Sequence, residues 1–506
     1  MTRIASNYLR LAVTFAVGLI VIRLMAEIGQ SALMLYLLLI AGTGFAQLLK
    51  IVMQESVIPA MGLTFDGRSD RSFGEVYWAA IVTSLSAGVF GFVFFGLIWL
   101  CRGYFDFGAL GDMAVTVAIG ACAARTFTSS AATPFLHALL IDHRVVSYNV
   151  VLVLERLTEL VAAIVAILLP PEYDLSQRVV IFYALSTCLY VALQAGVWIF
   201  AGRCDPRFRA RRAPLRRADM RWIGGFLGWN VALVIGFALY ARLSTLAVNA
   251  GLGEGATLTL GLVLALIGYQ RQVAMGLVIG LDAAISRHYG RGEVKDARTL
   301  VLRSTYVQAV FAAFSVAALW IFIEPILRLW LGRSLDGSAW DIGQTILLFK
   351  IMSVGIVARS VSEAWMKFLS GKGEIRAYAP AVLGGGIVFA AVTIFAVTGF
   401  EAEQALIIIA ATYAVMTALI HVGVIAIATA RRLELTTARL LGLVAIPIAV
   451  AVAAGLLHTL LLGGDMDMQK AWSAIAILGL CGIGVLLPMR RVIALTVPDW
   501  TRAPTP

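Results

Sequence analysis

The chain has 506 residues, of which 60% are hydrophobic and 14% are charged, and its mean hydropathy is +0.90. A soluble domain carries about 25% charged residues, and one soluble core cannot cover so much apolar surface. The composition therefore excludes a soluble protein and indicates a polytopic membrane protein. The net charge of +11 is typical of basic cytoplasmic loops in such proteins, so we expect membrane lipids and no nucleic acid as partners.

Fourteen apolar runs follow one another along the chain, each long enough for the ~20 residues that cross a bilayer core of ~30 Å. The first follows MTRIASNYLR and is predicted to be a spanning helix, not a removed signal. The runs predict an all-α polytopic membrane protein with about fourteen transmembrane helices. Their approximate spans are 8–28, 32–54, 75–100, 112–139, 145–169, 178–201, 222–249, 255–286, 300–323, 340–369, 376–399, 403–429, 439–462 and 471–488.

The basic residues of the loops predict the orientation of the chain. With the N-terminus inside, the inner loops hold 27 of the 40 lysines and arginines, and the outer loops hold five. Positive charge concentrates in cytoplasmic loops. The bias therefore predicts that both termini are cytoplasmic.

The most basic segment, RCDPRFRARRAPLRRADMR at 203–221, falls between the sixth and seventh predicted helices. Its eight arginines would lie beside anionic headgroups, where each contributes about 1 kcal/mol of attraction. Pro206 and Pro214 argue against one continuous helix here. The segment is interpreted as a topological anchor, with contact to an anionic lipid or a partner as the alternative.

This basic loop also separates two similar halves. Corresponding loops of the two halves lie about 224 to 230 residues apart. We therefore expect a six-helix bundle over 1–201, a basic cytoplasmic linker over 202–221, a second six-helix bundle over 222–430, and two extra helices with a cytoplasmic tail over 431–506. An even number of helices in each half predicts parallel repeats in a pseudo-twofold arrangement about an axis along the membrane normal, with a substrate cavity between the halves.

Charged residues inside the predicted spans require an explanation, because a charge at mid-membrane costs several kcal/mol. Arg125 and Arg271 lie deep in their helices and have no acid within four residues. Arg242 and Arg359 also lie deeper than snorkelling easily explains. Arginine stays charged when buried and binds phosphate through a planar fork, so these four residues are the predicted contacts of an anionic substrate. The structural alternative for Arg359 is an ion pair with Glu363, four residues later.

Two acids lie at helical spacing on the fifth predicted helix. A buried pair of carboxylates can share a proton because like charges raise a pKa, which makes Glu155 and Glu159 candidates for coupling transport to protons. Pairing with Arg156 or with nearby basic loops is the alternative.

Three segments resemble the polysaccharide repeat-unit flippases, the Wzx-type or O-antigen transporters, of the multidrug/oligosaccharidyl-lipid/polysaccharide exporter superfamily. The likeness extends over nearly the whole chain in the order and spacing of its loops. The segments are GLVIGLDAAISRHYGRGEVKDAR at 276–298, EPILRLWLGRSLDGSAW at 324–340 and FLSGKGEIRAYAPAVLGGG at 368–386.

The resemblance implies an inner-membrane flippase that moves undecaprenyl-pyrophosphate-linked oligosaccharide to the outer leaflet of a bacterial inner membrane by alternating access. The polymer made from it would be exopolysaccharide, capsule or O-antigen, and further partners would be a polysaccharide polymerase and chain-length proteins. Two alternatives stay open within the superfamily: a lipid-linked peptidoglycan-precursor flippase and a multidrug antiporter. A membrane glycosyltransferase is disfavoured because the longest outer loop, near 324–340, is short.

The sequence carries no recognisable enzyme chemistry. It has no G-x-x-x-x-G-K-[ST] nucleotide loop, and its five cysteines and five histidines show no spacing typical of metal ligands. We therefore expect no cofactor, no metal and no catalytic residue.

Overall fold

The computed structural model describes residues 2–65, 71–214, 221, 228–462 and 468–496, and all regular secondary structure in these ranges is helical. This confirms the prediction of an all-α fold. Long apolar helices form because a chain surrounded by hydrocarbon must satisfy its backbone hydrogen bonds internally.

Among the described residues, seven α-helices precede the basic loop. The first covers the predicted first span, and a break at Gln47 divides the predicted second span into two helices. These helices are α1 (Thr2–Ile28), α2 (Gln30–Ala46), α3 (Leu48–Phe65), α4 (Phe73–Leu100), α5 (Asp112–Ile141), α6 (Val145–Leu168) and α7 (Leu175–Cys204).

The helices after the basic loop are less regular, because turns of π-helix lie between consecutive helices at Leu239–Leu243 and Leu419–Ile425 and another ends a helix at Arg328–Gly332. Their bounds are α8 (Asn230–Ala238), α9 (Ser244–Gly276), α10 (Leu281–Gly290), α11 (Val294–Leu327), α12 (Ile342–Gly371), α13 (Ala379–Gly399), α14 (Ala402–Ala418), α15 (Ala426–Arg432), α16 (Thr437–Leu462), α17 (Met468–Leu486) and α18 (Met489–Thr496).

Nine helical stretches of the described ranges are long and apolar enough to cross a membrane. Two shorter apolar helices, Gln30–Ala46 and Trp472–Leu486, accompany them. The chain is thus a multi-pass membrane protein, while the count of fourteen spans stays a prediction. The predicted start of the seventh span, 222–227, lies outside the described residues.

The chain divides into two compact units. The first comprises 1–261, 333–340 and 397–402, and the second comprises 262–332, 341–396 and 403–506. The main change of unit therefore falls after Gly261, inside α9, and Arg242 belongs to the first unit although the sequence analysis assigned it to the second half. The four-part division at 201, 221 and 430 stays a prediction.

In the first unit, α5 packs between α4 and α7, and α1 packs on α6. One hydrophobic core joins α3, α4, α5 and the basic loop through fully buried aromatic side chains. Phe208 of the basic loop is 0% exposed and stacks on Phe65, and its carbonyl accepts a hydrogen bond of 3.1 Å from the hydroxyl of Tyr77. This part of the arginine-rich segment is therefore docked on the helix bundle, while residues 215–220 lie outside the described ranges.

In the second unit, α11 packs against α12 and α16. The fully buried indole of Trp365 donates to the hydroxyl of Thr305 at 3.0 Å, which joins α12 to α11. At one end of the unit Arg298 and Glu434 form an ion pair of 2.6 Å, and the Arg298 guanidinium lowers the pKa of the Glu434 carboxyl. The Trp365 contact holds α12, which carries Arg359 and Glu363, against α11.

Candidate functional site: a basic cavity and a charged cluster

A cavity of about 260 Å³ opens inside the first unit, among α2, α3, α5, α6, α7 and the π-helical turn at Leu239–Leu243. Its walls are unusually polar for membrane-spanning helices, because six charged side chains line it. Four are basic and two are acidic, which gives the lining a formal charge of +2. The six are Lys50, Arg125, Glu155, Arg156, Glu159 and Arg242.

Glu159 is the centre of the hydrogen-bond network in this cavity. Its Oε1 accepts from Nη2 of Arg125 at 2.6 Å, and its Oε2 accepts from Nη1 of Arg156 at 3.3 Å. The hydroxyl of Tyr36 also donates to Oε2, at 3.2 Å. Three helices thus converge on one carboxylate, which offsets part of the cost of burying the Arg125 guanidinium and the Glu159 carboxylate.

The second acid of the cavity, Glu155, has a hydrogen-bond partner of its own. Glu155 lies one helical turn earlier on α6 and accepts a hydrogen bond of 2.6 Å from the amide of Gln194. The ring of Tyr190 lies 5.0 Å from Cζ of Arg125, within the range of a cation–π contact. Glu155 and Glu159 therefore have different partners, and their predicted role in proton coupling stays a prediction.

Lys50 and Arg242 complete the basic lining. The amine of Lys50 donates to the hydroxyl of Ser129 on α5. The side chain of Arg242 lies against Gly44, so close that a Cβ on this glycine would be 2.7 Å from Cζ of the guanidinium. The glycine on α2 thus leaves the space that the guanidinium occupies at the wall of the cavity.

The other two predicted arginines meet in the second unit. Nε of Arg271 on α9 lies 3.2 Å from Oε1 of Glu363 on α12. Arg359 is 4% exposed and interacts with the hydroxyl of Tyr413 and with the charge of Arg271. One turn away on α12, the hydroxyl of Ser362 contacts Nδ1 of His421 at 2.5 Å. Two arginines therefore surround one carboxylate in a second, smaller charged cluster.

The structure thus brings Arg125 and Arg242 to one cavity, and Arg271 and Arg359 to one cluster. The sequence analysis found no acid near Arg125 or Arg271 on their own helices, and each pairs with an acid on another helix. Helical spacing gave an ion pair with Glu363 as the structural alternative for Arg359, and in the structure Arg271 also forms an ion pair with this carboxylate. Roles in substrate binding stay predictions for all four.

Sequence reasoning did not select Lys50 and Arg156 as site residues, although both are charges inside apolar runs. The signal was present, because Lys50 lies inside a predicted span and Arg156 lies between the two acids of α6. Tyr36 and Gln194 carried no comparable signal, since a tyrosine and a glutamine are ordinary residues in a spanning helix.

Helices packed around buried arginines and acids define the class of protein: a helical multi-pass membrane protein with charged side chains inside its helix bundles. The MatE family model matches residues 234–394. A multidrug resistance MATE family transporter of the MOP superfamily, in an inward-facing conformation, is similar in structure with a TM-score of 0.65 at 14% sequence identity, over 85% of this chain and 98% of that one.

The lipid II flippase MurJ, in an inward closed conformation, is similar with a TM-score of 0.66 at 11% identity, over 98% of this chain and 99% of that one. The eukaryotic MATE transporter AtDTX14 is similar with a TM-score of 0.56 at 14% identity, over 85% of this chain and 100% of that one. No curated protein matches this chain in sequence. The chain therefore has the fold of MOP-superfamily transporters.

Proposed function

We propose that this protein is a flippase for a lipid-linked oligosaccharide whose headgroup is a polyprenyl pyrophosphate, and that it works by alternating access. The observation that carries the proposal is the cavity in the first unit, in which four basic side chains and two acidic ones line the space between membrane-spanning helices. Charged side chains inside a bilayer cost free energy, and the binding of an anionic substrate would explain why the cavity retains them.

The chemistry of the lining suits a pyrophosphate. Arginine binds phosphate oxygens bidentately and does not lose its proton, and Lys50 adds a compact charge. Glu159 already forms ion pairs with the guanidinium groups of Arg125 and Arg156. The pyrophosphate would therefore share these arginines with Glu159, or displace it, and would contact Lys50 and Arg242 at the same cavity wall.

The comparisons support a transporter and favour one whose fold extends over nearly the whole of this chain. The MATE transporters cover 85% of this chain, whereas the lipid II flippase covers 98% of it. This coverage also makes a lipid-linked peptidoglycan precursor a second candidate substrate. A multidrug antiporter is the third candidate, supported by the MatE match and disfavoured by the positive lining, which repels cationic drugs.

The test uses purified protein in liposomes that contain a fluorescent polyprenyl-pyrophosphate oligosaccharide, with a membrane-impermeant quencher that reports the outer leaflet. Wild-type protein is expected to move the lipid between leaflets. Arg125→Gln and Arg242→Gln are expected to slow this transport at least tenfold, because a hydrogen bond to a charged group contributes ~1.5–3 kcal/mol.

The matched control is Arg23→Gln, since Arg23 is also on a spanning helix of the first unit but pairs with Glu27 at 3.1 Å and does not line the cavity. Its transport should equal that of the wild type. Transport of a lipid-linked muropeptide alone would establish the second candidate, and proton- or sodium-driven drug uptake without lipid transport would establish the third. Either result would overturn the proposed substrate.

In cells, we propose that the protein lies in a bacterial inner membrane and supplies repeat units to a polysaccharide polymerase and its chain-length partners. Deletion of the gene should then leave lipid-linked repeat units in the inner leaflet and abolish the surface or secreted polymer. Arg271, Arg359, Glu155 and Glu159 remain proposed contributors to substrate binding and ion coupling.

A further inference from the structure

A second and larger cavity, of about 840 Å³, lies inside the second unit among α11, α12, α16 and the π-helical turn at Leu419–Ile425. Its volume is near the upper end of the ~300–1,000 Å³ typical of ligand pockets. Nearly all of its lining is aliphatic. The polar lining comes from four residues, Trp320, Lys350, Ser353 and His458.

These four residues gather near one end of the helices. Trp320 lies seven residues before the end of α11, Lys350 eight residues after the start of α12, and His458 four residues before the end of α16. At 1.5 Å per residue these three lie about 6–12 Å from those helix ends, and Ser353, eleven residues after the start of α12, lies about 16 Å from it. The end of α11 and the start of α12 are joined by residues 328–341, and the predicted topology puts these ends, with the end of α16, in the outer leaflet.

The polar end of the cavity carries two nitrogen atoms that are available to bind an anion, the Lys350 amine and Nε2 of His458. Within the described residues, no carboxylate forms an ion pair with the Lys350 amine. His458 is 5% exposed, and its Nε2 has no hydrogen-bond partner among the described residues. A buried polar nitrogen without a partner is costly, and an acidic group at this end would supply one. The Trp320 indole donates to Ser353 at 2.6 Å, which fixes this wall.

The cavity opens on a surface made of exposed apolar side chains. Val354, Val452 and Leu456 line it and are 53%, 55% and 59% exposed. Side chains of this kind on membrane-spanning helices are covered by hydrocarbon. A ligand that reaches the cavity from this surface therefore comes from the bilayer, and the charge of Lys350 favours a lipid with an anionic headgroup.

We propose that this cavity binds an anionic two-chain phospholipid of the outer leaflet, with its phosphate beside Lys350 and His458 and one acyl chain in the aliphatic part. None of its lining residues lines the cavity of the first unit. The site is therefore separate from the proposed path of the transported headgroup, and the inference goes beyond the proposed function.

The test measures lipid binding to the purified full-length protein by native mass spectrometry, with phosphatidylglycerol as the probe. Lys350→Met removes the charge and keeps the length of the side chain, and it is expected to weaken phosphatidylglycerol binding at least tenfold. The control Lys295→Met removes an exposed lysine at the start of α11, and it should bind as the wild type does.

A second pair of variants tests the cavity without changing a charge. Gly455 lines the cavity and a Cβ at this position would meet no heavy atom within 4 Å, so Gly455→Phe should reduce the cavity volume and fold normally. Gly479→Phe, on α17, also meets open space and does not line the cavity. Only Gly455→Phe should lose phosphatidylglycerol.

Three other probes decide what is recognised. Equal binding of phosphatidylcholine would show that the charge is irrelevant, and competition by glycerophosphoglycerol would show that the acyl chains are irrelevant. Binding of a polyprenyl phosphate in place of phosphatidylglycerol would make the cavity part of the substrate path. Each result would overturn the proposal, as would unchanged binding in both Lys350→Met and Gly455→Phe.

Discussion

At the scale of single residues, Gly44 provides the sharpest test of the cavity in the first unit. A Cβ at this position would lie 2.7 Å from Cζ of Arg242, which is too close for a real contact. Because Arg242 is long and flexible, Gly44→Ala should displace its guanidinium from the cavity wall while the helices stay packed. We expect normal expression and thermal stability, with a several-fold lower rate of lipid transport in the liposome assay.

The matched control for this prediction is two residues away on the same helix. A Cβ on Gly42 would contact Ile98 and Phe95 at 3.5 Å, an ordinary packing distance. Gly42→Ala should therefore leave transport unchanged. A transport rate for Gly44→Ala equal to that of Gly42→Ala would show that the position of Arg242 does not matter for transport.

Residues of the candidate site could be predicted from the sequence only in part. A charge inside an apolar run is visible without a structure, and this criterion identified Arg125, Arg242, Arg271 and Arg359. Their partners were not visible, because Glu159 lies 34 residues from Arg125 and Glu363 lies 92 residues from Arg271. Helical spacing reports neighbours on one helix, whereas these ion pairs join different helices.

At the scale of elements, the kink in α9 depends on one glycine. Gly253 has φ 79° and ψ −162°, which interrupts the helix. The carboxylate of Asp106 accepts from the backbone N–H of Glu254 at 2.8 Å and so caps the part of the helix that follows. The Asn249 side chain holds Asp106 through hydrogen bonds to its backbone N–H and carbonyl, at 3.1 and 2.9 Å.

We therefore expect Gly253→Ala to destabilise the protein. A residue other than glycine at this positive φ costs about 1–3 kcal/mol, and its Cβ would lie 2.8 Å from Oδ2 of Asp106. Gly268→Ala, on the same helix, meets open space and should keep or raise the melting temperature, because alanine favours a helix by roughly 0.5–1 kcal/mol over glycine. Thermal unfolding in detergent, followed by tryptophan fluorescence, compares the two. Equal melting temperatures would show that the kink is not required.

The basic loop shows what the sequence could not reveal about an element. Eight arginines and two prolines predicted a charged loop at a membrane surface, but not its docking. The docking depends on Phe208, whose ring is fully buried against Phe65 and Phe73. A single aromatic residue among arginines has no periodic pattern, and only its tertiary contacts identify it as an anchor.

At the scale of the whole molecule, hydropathy predicted the fold class because the bilayer imposes helices of about 20 residues on any chain that crosses it. Hydropathy did not predict the breaks within these helices. Gln47, Gly253 and the π-helical turns change the direction or winding of a helix while its composition stays apolar. For the same reason the unit boundary after Gly261 was not foreseen, since a boundary inside a helix leaves no change of composition.

The orientation of the molecule determines the direction in which a headgroup would travel, and charge bias alone predicts it. In a variant with its five cysteines replaced, Arg291→Cys should react with a membrane-impermeant maleimide only after the cells are permeabilised, whereas Arg333→Cys should react in intact cells. Both positions are exposed and lie in loops that the positive-inside rule assigns to opposite sides. Labelling of both variants by a permeant maleimide confirms that each thiol is reactive. The reverse pattern would place the polar end of the cavity in the second unit, and the proposed phospholipid with it, in the inner leaflet.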